Sequence, residues 1–94
     1  TREELAGFAD VLARHPHVWI LADEIYNEVL FDIEAQDNFA TVDPSLKERL
    51  FVVNGVSKTY AMTGWRIGYG VGNAELVAAI NKLQSQMSSC PSSI

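Results

Sequence analysis

The chain has 94 residues, 48% of them hydrophobic and 20% charged, with a formal net charge of -5. That length suffices for one small domain and not for two, and the acidic balance argues against a general surface for nucleic acid or an anionic membrane, both of which need a basic face. Cys90 stands alone, so no internal disulfide can form. No apolar run approaches the roughly 20 residues of a membrane span, and the polar start is unlike a signal peptide. A cytoplasmic setting is the expectation.

Thr1-Arg2-Glu3-Glu4 fits a helix capping box, and Leu5, Phe8, Ala9 and Leu12 follow at helical spacing. Pro16 blocks continuation, which puts the helix end near Arg14 or His15. Val18-Trp19-Ile20-Leu21-Ala22 is an unbroken apolar run that suits a strand buried on both faces, closed by Asp23 and Glu24. His15 and His17 read as a solvated helix end. Residues 32 to 45 are polar and irregular, with Asp43-Pro44-Ser45 a turn or short helix start. Lys47 and Arg49, interrupted by Glu48, read as solvated surface. Leu50-Phe51-Val52-Val53 is a second strand, ended by Asn54-Gly55. Ile67-Gly68-Tyr69-Gly70-Val71 is a third. Asn73 caps a final helix, Ala74 to about Met87, whose Leu76, Val77, Ile80, Leu83 and Met87 form a core-packing stripe. Trp19 and Trp65 are expected in the core or a pocket wall.

Helix, strand, long connection, strand, strand, helix is an α/β pattern. The long link between the first two strands predicts that they run parallel, because parallel neighbours need a crossover. The shorter link to the third allows it to return antiparallel. Asp23 then ends strand one, Lys58 lies just past strand two, and Arg66 opens strand three. Topology carries all three towards the sheet edge where open α/β sheets bind ligands.

The loop between the second and third strands holds the decisive pattern, Gly55-Val56-Ser57-Lys58-Thr59-Tyr60-Ala61-Met62-Thr63-Gly64-Trp65-Arg66-Ile67-Gly68. A lysine lies on a turn of small residues, with an arginine eight positions on. The stretch resembles the coenzyme-lysine signature of class-I aminotransferases, fold-type-I enzymes that use pyridoxal 5'-phosphate (PLP). Ala22-Asp23-Glu24-Ile25-Tyr26 is similar to a second signature of that family, an aspartate at a strand end with a tyrosine three residues later. The two motifs span about half of the chain, and Met62 to Tyr69 looks most like the bacterial aspartate-aminotransferase branch.

The resemblance implies a fold, a cofactor and roles. Residues 1–94 would be a central piece of the PLP-binding large domain, a mainly parallel sheet with one antiparallel strand flanked by helices. Lys58 would form the Schiff base with PLP and then shuttle the substrate Cα proton. Asp23 would pair with the ring nitrogen and keep it protonated. Tyr26 would donate a hydrogen bond to the phenolic oxygen of the coenzyme. Arg66 would bind the phosphate, aided by the Ser57 hydroxyl. The substrates would be an amino acid, aspartate or a similar one, and a 2-oxo acid, and the full-length protein would be a homodimer. Enzymes of this family are several times longer, and their substrate-carboxylate arginine is not assignable here.

Taken singly, Asp23 suits a helix N-cap, Tyr26 a packed aromatic, Arg66 a surface ion pair and Lys58 an exposed lysine. Their joint spacing favours the coenzyme site. Two other readings share these residues: another PLP enzyme of the same fold, such as a lyase, and a non-catalytic folding unit. Gly55 rather than serine stands three before Lys58, which departs from the Ser-x-x-Lys nucleophile pattern. No glycine-rich phosphate loop precedes the lysine.

Overall fold

In the computed structural model, which describes residues 1–93, α1 runs from Arg2 to Ala13. Its start is the expected capping box. The Thr1 hydroxyl accepts from the Glu4 backbone N–H at 3.3 Å, and the Glu4 carboxylate reaches back to the Thr1 nitrogen. Ile94, the last residue of the expected 1–94 segment, lies outside the described residues.

Three strands form the sheet: β1 (Ile20–Asp23), β2 (Leu50–Gly55) and β3 (Gly68–Gly72), in that spatial order. β1 and β2 pair in parallel from Ile20↔Leu50 to Asp23↔Val53, and β2 and β3 pair antiparallel from Phe51↔Gly72 to Gly55↔Gly68. Both directions agree with the expectation from connection lengths. The crossover from β1 to β2 carries a four-residue helix, α2 (Phe39–Val42), and a 3-10 segment, Pro44–Arg49. The closing helix, α3, spans Ala74–Met87 behind an Asn73 cap that accepts from the Glu75 and Leu76 N–H groups.

Side chains alternate along a strand, so the register defines two faces. Ile20, Ala22, Leu50 and Val52 point to one side. There they meet Ala9 and Leu12 of α1, Phe39 and Ala40 of α2, and Leu46, which is only 1% exposed. This is the core, and its fully buried members are Ala9, Ile20, Leu46 and Leu50. Leu21, Phe51 and Val53 point to the other side, where Leu21 is 69% exposed. The molecule is accordingly a plate of 41 × 35 × 14 Å. Its radius of gyration is 15.1 Å, against about 12.4 Å for a compact chain of this length. Its accessible surface is 7116 Å², against about 5400 Å² for a compact monomer of this mass.

Several expectations need correction. β1 is covered on one face, not two, and starts at Ile20 rather than Val18. Trp19 is 56% exposed and Trp65 is also exposed, so neither is core. No residue of α3 is fully buried. Leu76, Val77 and Ile80 are half-buried, while Leu83 and Met87 face solvent. The stretch 32–45 is not wholly irregular. Asn38 and Thr41 cap α2 reciprocally, the Asn38 Oδ1 accepting from the Thr41 N–H at 3.0 Å and the Thr41 Oγ1 from the Asn38 N–H at 3.3 Å.

Arg49 is not solvated surface. Its guanidinium donates to the carbonyls of Leu12 (2.6 Å), His15 (3.1 Å) and Val18 (2.8 Å). Pro16 stops α1, and Arg49 adds a charged donor to the Leu12 carbonyl of its last turn and to the His15 and Val18 carbonyls of the loop that follows. His15 and His17 are exposed as expected, their rings edge-to-face at 6.0 Å. Cys90 is exposed. Among the described residues no group of acidic, histidine or cysteine side chains is placed to hold a metal. No helix among them is long and apolar enough to cross a membrane.

Candidate active site

β1 and β2 deliver two loops to one edge of the sheet. The first begins at Asp23, the last residue of β1. The ladder continues one step further, the Glu24 N–H donating to the Val53 carbonyl at 2.9 Å. The Asp23 Oδ1 accepts from the Ile25 N–H at 3.2 Å, an Asx turn that reverses the chain. Successive turn bonds, Asn27 N–H to Glu24 O and Val29 N–H to Tyr26 O, coil residues 24–29 above the strand end. Asp23 thus does serve its local backbone, as the simpler reading holds, but through one carboxylate oxygen only. The other is uncommitted among the described residues.

The second loop leaves β2 at Gly55. Val56 donates to the Ile67 carbonyl at 3.3 Å, so the chain emerging from β2 and the chain entering β3 stay paired beyond the strands. Residues 57–60 form tight turns, closed by Tyr60 N–H to Val56 O (3.2 Å) and Ala61 N–H to Lys58 O (3.2 Å). Ser57 is half-buried at the foot of this loop and Lys58 is exposed above it. Arg66 follows the 3-10 turn Thr63–Trp65 and donates to the Thr63 carbonyl at 2.9 Å.

The two loops meet at Lys58 and Tyr26. The Lys58 Nζ lies over the face of the Tyr26 ring, 5.2 Å from its centroid, a distance at which an amine and an aromatic face attract. These residues are 32 positions apart in the chain. Asp23, Ser57 and Arg66 occupy the same edge, and among the described residues none of them bonds to Lys58 directly.

Four features of the site carry no signal in the sequence. Ala61 and Arg66 both have left-handed backbones, with φ of 52° and 56°. Such a conformation costs a non-glycine residue on the order of 1–3 kcal/mol and gathers at functional sites. Gly55 has no room for a side chain: an added Cβ would stand 2.8 Å from the Ile67 carbonyl oxygen and 3.3 Å from Ile25 Cδ1. Asn27 and Asn54 join the two loops, the Asn54 Nδ2 donating to the Asn27 Oδ1 at 3.3 Å. Glu24, beside Asp23, has its carboxyl pushed above the usual range by partial burial.

An amine, a phenol, a carboxylate with an uncommitted oxygen and a guanidinium thus stand at one edge of an α/β sheet. Comparison with known proteins supplies the class. The profile of the family described as aminotransferase class I and II matches residues 1–94. A probable aspartate/prephenate aminotransferase of Rickettsia felis is 52% identical over 92 residues, covering 98% of this chain and 22% of that protein. An aspartate aminotransferase of Rhizobium meliloti (strain 1021) is 54% identical over 85 residues, covering 90% and 21%. The crystal structure of the aspartate aminotransferase from Rhizobium meliloti superposes with a TM-score of 0.94 at 48% identity, over 98% of this chain and 23% of that one. An aromatic aminotransferase from Pyrococcus horikoshii OT3 gives 0.89 at 33% identity, over 98% and 24%.

The chain therefore belongs to the class I and II aminotransferase family, and its α/β fold is that of the matching part of those enzymes. It spans under a quarter of the length of the curated relatives cited here.

Proposed function

We propose that residues 1–94 act as the central part of the coenzyme-binding domain of a longer aminotransferase. That enzyme uses PLP to exchange the amino group of aspartate, or a similar amino acid, with a 2-oxo acid. The observation that carries the reading is the Lys58 amine over the Tyr26 ring, on the two loops that bear the family's motifs. The names of the relatives support aspartate as donor. The resemblance implies a homodimer, and the composition of the chain leads to the expectation of a cytoplasmic setting.

The side chains present suit that cofactor. Its aldehyde calls for an amine, its phosphate for a fixed cation, its ring nitrogen for an acid and its phenolic oxygen for a donor. Lys58, Arg66, Asp23 and Tyr26 offer these at one sheet edge. When bound, PLP supplies an electron sink for the charge left when a substrate loses its Cα proton.

The remaining work belongs to the protein. The Lys58 Nζ would hold the aldehyde end of the coenzyme and, once freed by the substrate amine, would take and return the Cα proton. The free Asp23 oxygen holds a proton on the ring nitrogen. The Tyr26 hydroxyl donates to the phenolic oxygen. The Arg66 guanidinium keeps donors beyond its bond to Thr63 and binds the phosphate, with the Ser57 hydroxyl as a further donor.

Borohydride reduction of the full-length protein with PLP, followed by peptide mapping, tests this reading. The label should fall on Lys58, and Lys58→Ala should lose both the coenzyme's visible absorbance and turnover. A label on another lysine, or full turnover in Lys58→Ala, would defeat it. An amino-donor screen with product analysis then separates transamination from a lyase reaction.

A further inference from the structure

We infer that Asn27 and Asn54 are positioning residues, a side-chain clamp that sets the Tyr26 ring against the Lys58 amine. The inference rests on the coenzyme reading above and adds a pair that touches no ligand.

Tyr26 and Lys58 sit on separate loops, each beyond the end of a strand. The backbone ladder between β1 and β2 stops with Glu24 N–H to Val53 O. Past that point, Asn54 Nδ2 to Asn27 Oδ1, at 3.3 Å, is the one side-chain hydrogen bond joining the two loops among the described residues. Asn27 follows Tyr26 directly, and Asn54 is four residues before Lys58. The bond therefore spans the gap that sets the 5.2 Å separation.

The orientation of both amides follows from the surroundings. The Gly55 N–H donates to the Asn54 Oδ1 at 2.7 Å, which commits that oxygen and turns the Asn54 amide nitrogen towards Asn27. Asn27 must then present its oxygen. Both residues are half-buried, so water competes weakly for the bond. Asn54 thus fixes the first residue of the lysine loop's approach with one atom and the tyrosine loop with another. Ile25 also packs close to Gly55, its Cδ1 3.3 Å from where a Cβ on that glycine would stand, so the loops meet at a second point.

The test uses the full-length protein loaded with PLP and reads the pH midpoint of the bound coenzyme's visible absorbance. Tyr26→Phe, which removes the donor to the phenolic oxygen, sets the reference shift, upward in pH. Asn27→Ala, Asn54→Ala and the double variant should each shift the midpoint in that direction, by the same smaller amount, because the pair works as a unit. None should add a further shift in a Tyr26→Phe background. Turnover should fall by about 10- to 100-fold, in kcat more than in KM, as for a misplaced catalytic group.

A lowered Tm with the midpoint unchanged would reduce the pair to ordinary packing and overturn the inference. So would a shift that adds in full to that of Tyr26→Phe. If Asn54→Ala fails to fold, Asn27→Ala, on a turn outside the strands, decides alone. If Lys58→Ala retains the coenzyme's colour, the coenzyme reading itself fails and the clamp falls with it, whatever the asparagine variants do.

Discussion

The two faces of the sheet are built from the same kinds of residue and have opposite surroundings. On one, Ile20, Ala22, Leu50 and Val52 lie under α1, α2 and Leu46. On the other, Leu21 stands exposed beside Phe51 and Val53, with only the glycines of β3 further along. Isoleucine, leucine, valine and phenylalanine on both sides of β1 and β2 are the composition of a strand buried twice over. The sequence of the sheet is therefore written for a thicker body than the 14 Å plate. That fits a chain spanning under a quarter of its curated relatives. On the reading of residues 1–94 as part of a longer aminotransferase, the Leu21 face is where its further elements would pack.

Truncations test this difference most strongly. Leu46→Ala should cost the full-length protein about 2–5 kcal/mol in denaturant unfolding, because it empties a fully buried site. Leu21→Ala should cost a similar amount if its face is covered in that protein. A cost below about 0.5 kcal/mol, typical of surface positions, would show the face to be bare there too.

The covered face also depends on a polar lock at its margin. Arg49→Ala should destabilise by about 1–3 kcal/mol, since the Leu12 carbonyl of α1 and the His15 and Val18 carbonyls beyond it lose a charged donor. Arg49→Lys should recover part of this, because a point charge cannot fork to three acceptors. An unchanged unfolding midpoint in Arg49→Ala would remove the lock.

The smallest effect belongs to Glu24 at the site edge. Burial raises its folded-state pKa above the unfolded value. The folded state then holds its proton more tightly, and the stability gained from this is full below the ordinary glutamate range and lost as pH rises through the folded pKa. Glu24→Gln should be slightly more stable than the wild type at pH 7, and the gap should close in acid. A gap that widens on acidification would reverse the sign and contradict the assignment.

Much of the architecture was legible because it rests on local rules. The capping box at Thr1, the stop at Pro16, the Asp43 and Asn73 caps and the strand directions all follow from nearby residues or connection lengths. The meeting of Tyr26 with Lys58 was legible through motif and topology together. Arg49 was not legible, because its partners are backbone carbonyls more than thirty residues away and no residue type announces them. α2 escaped because four residues cannot show a helical period, although the Asn38–Thr41 pairing of cap types was its one trace. The exposure of Trp19 and Leu21 escaped because hydrophobicity records what a side chain is suited to meet, while the covering elements need not lie in the same stretch of sequence.

The glycines at 68, 70 and 72 share one face of β3, and an added Cβ at 70 or 72 would collide with the ring of Phe51. Sliding β3 by a single residue would swing Tyr69 and Val71 into the volume that the ring occupies. The vacancy works as a ratchet tooth: bulk on the neighbouring strand rejects a slip of one residue, which would also shift the height at which the chain from Arg66 enters β3.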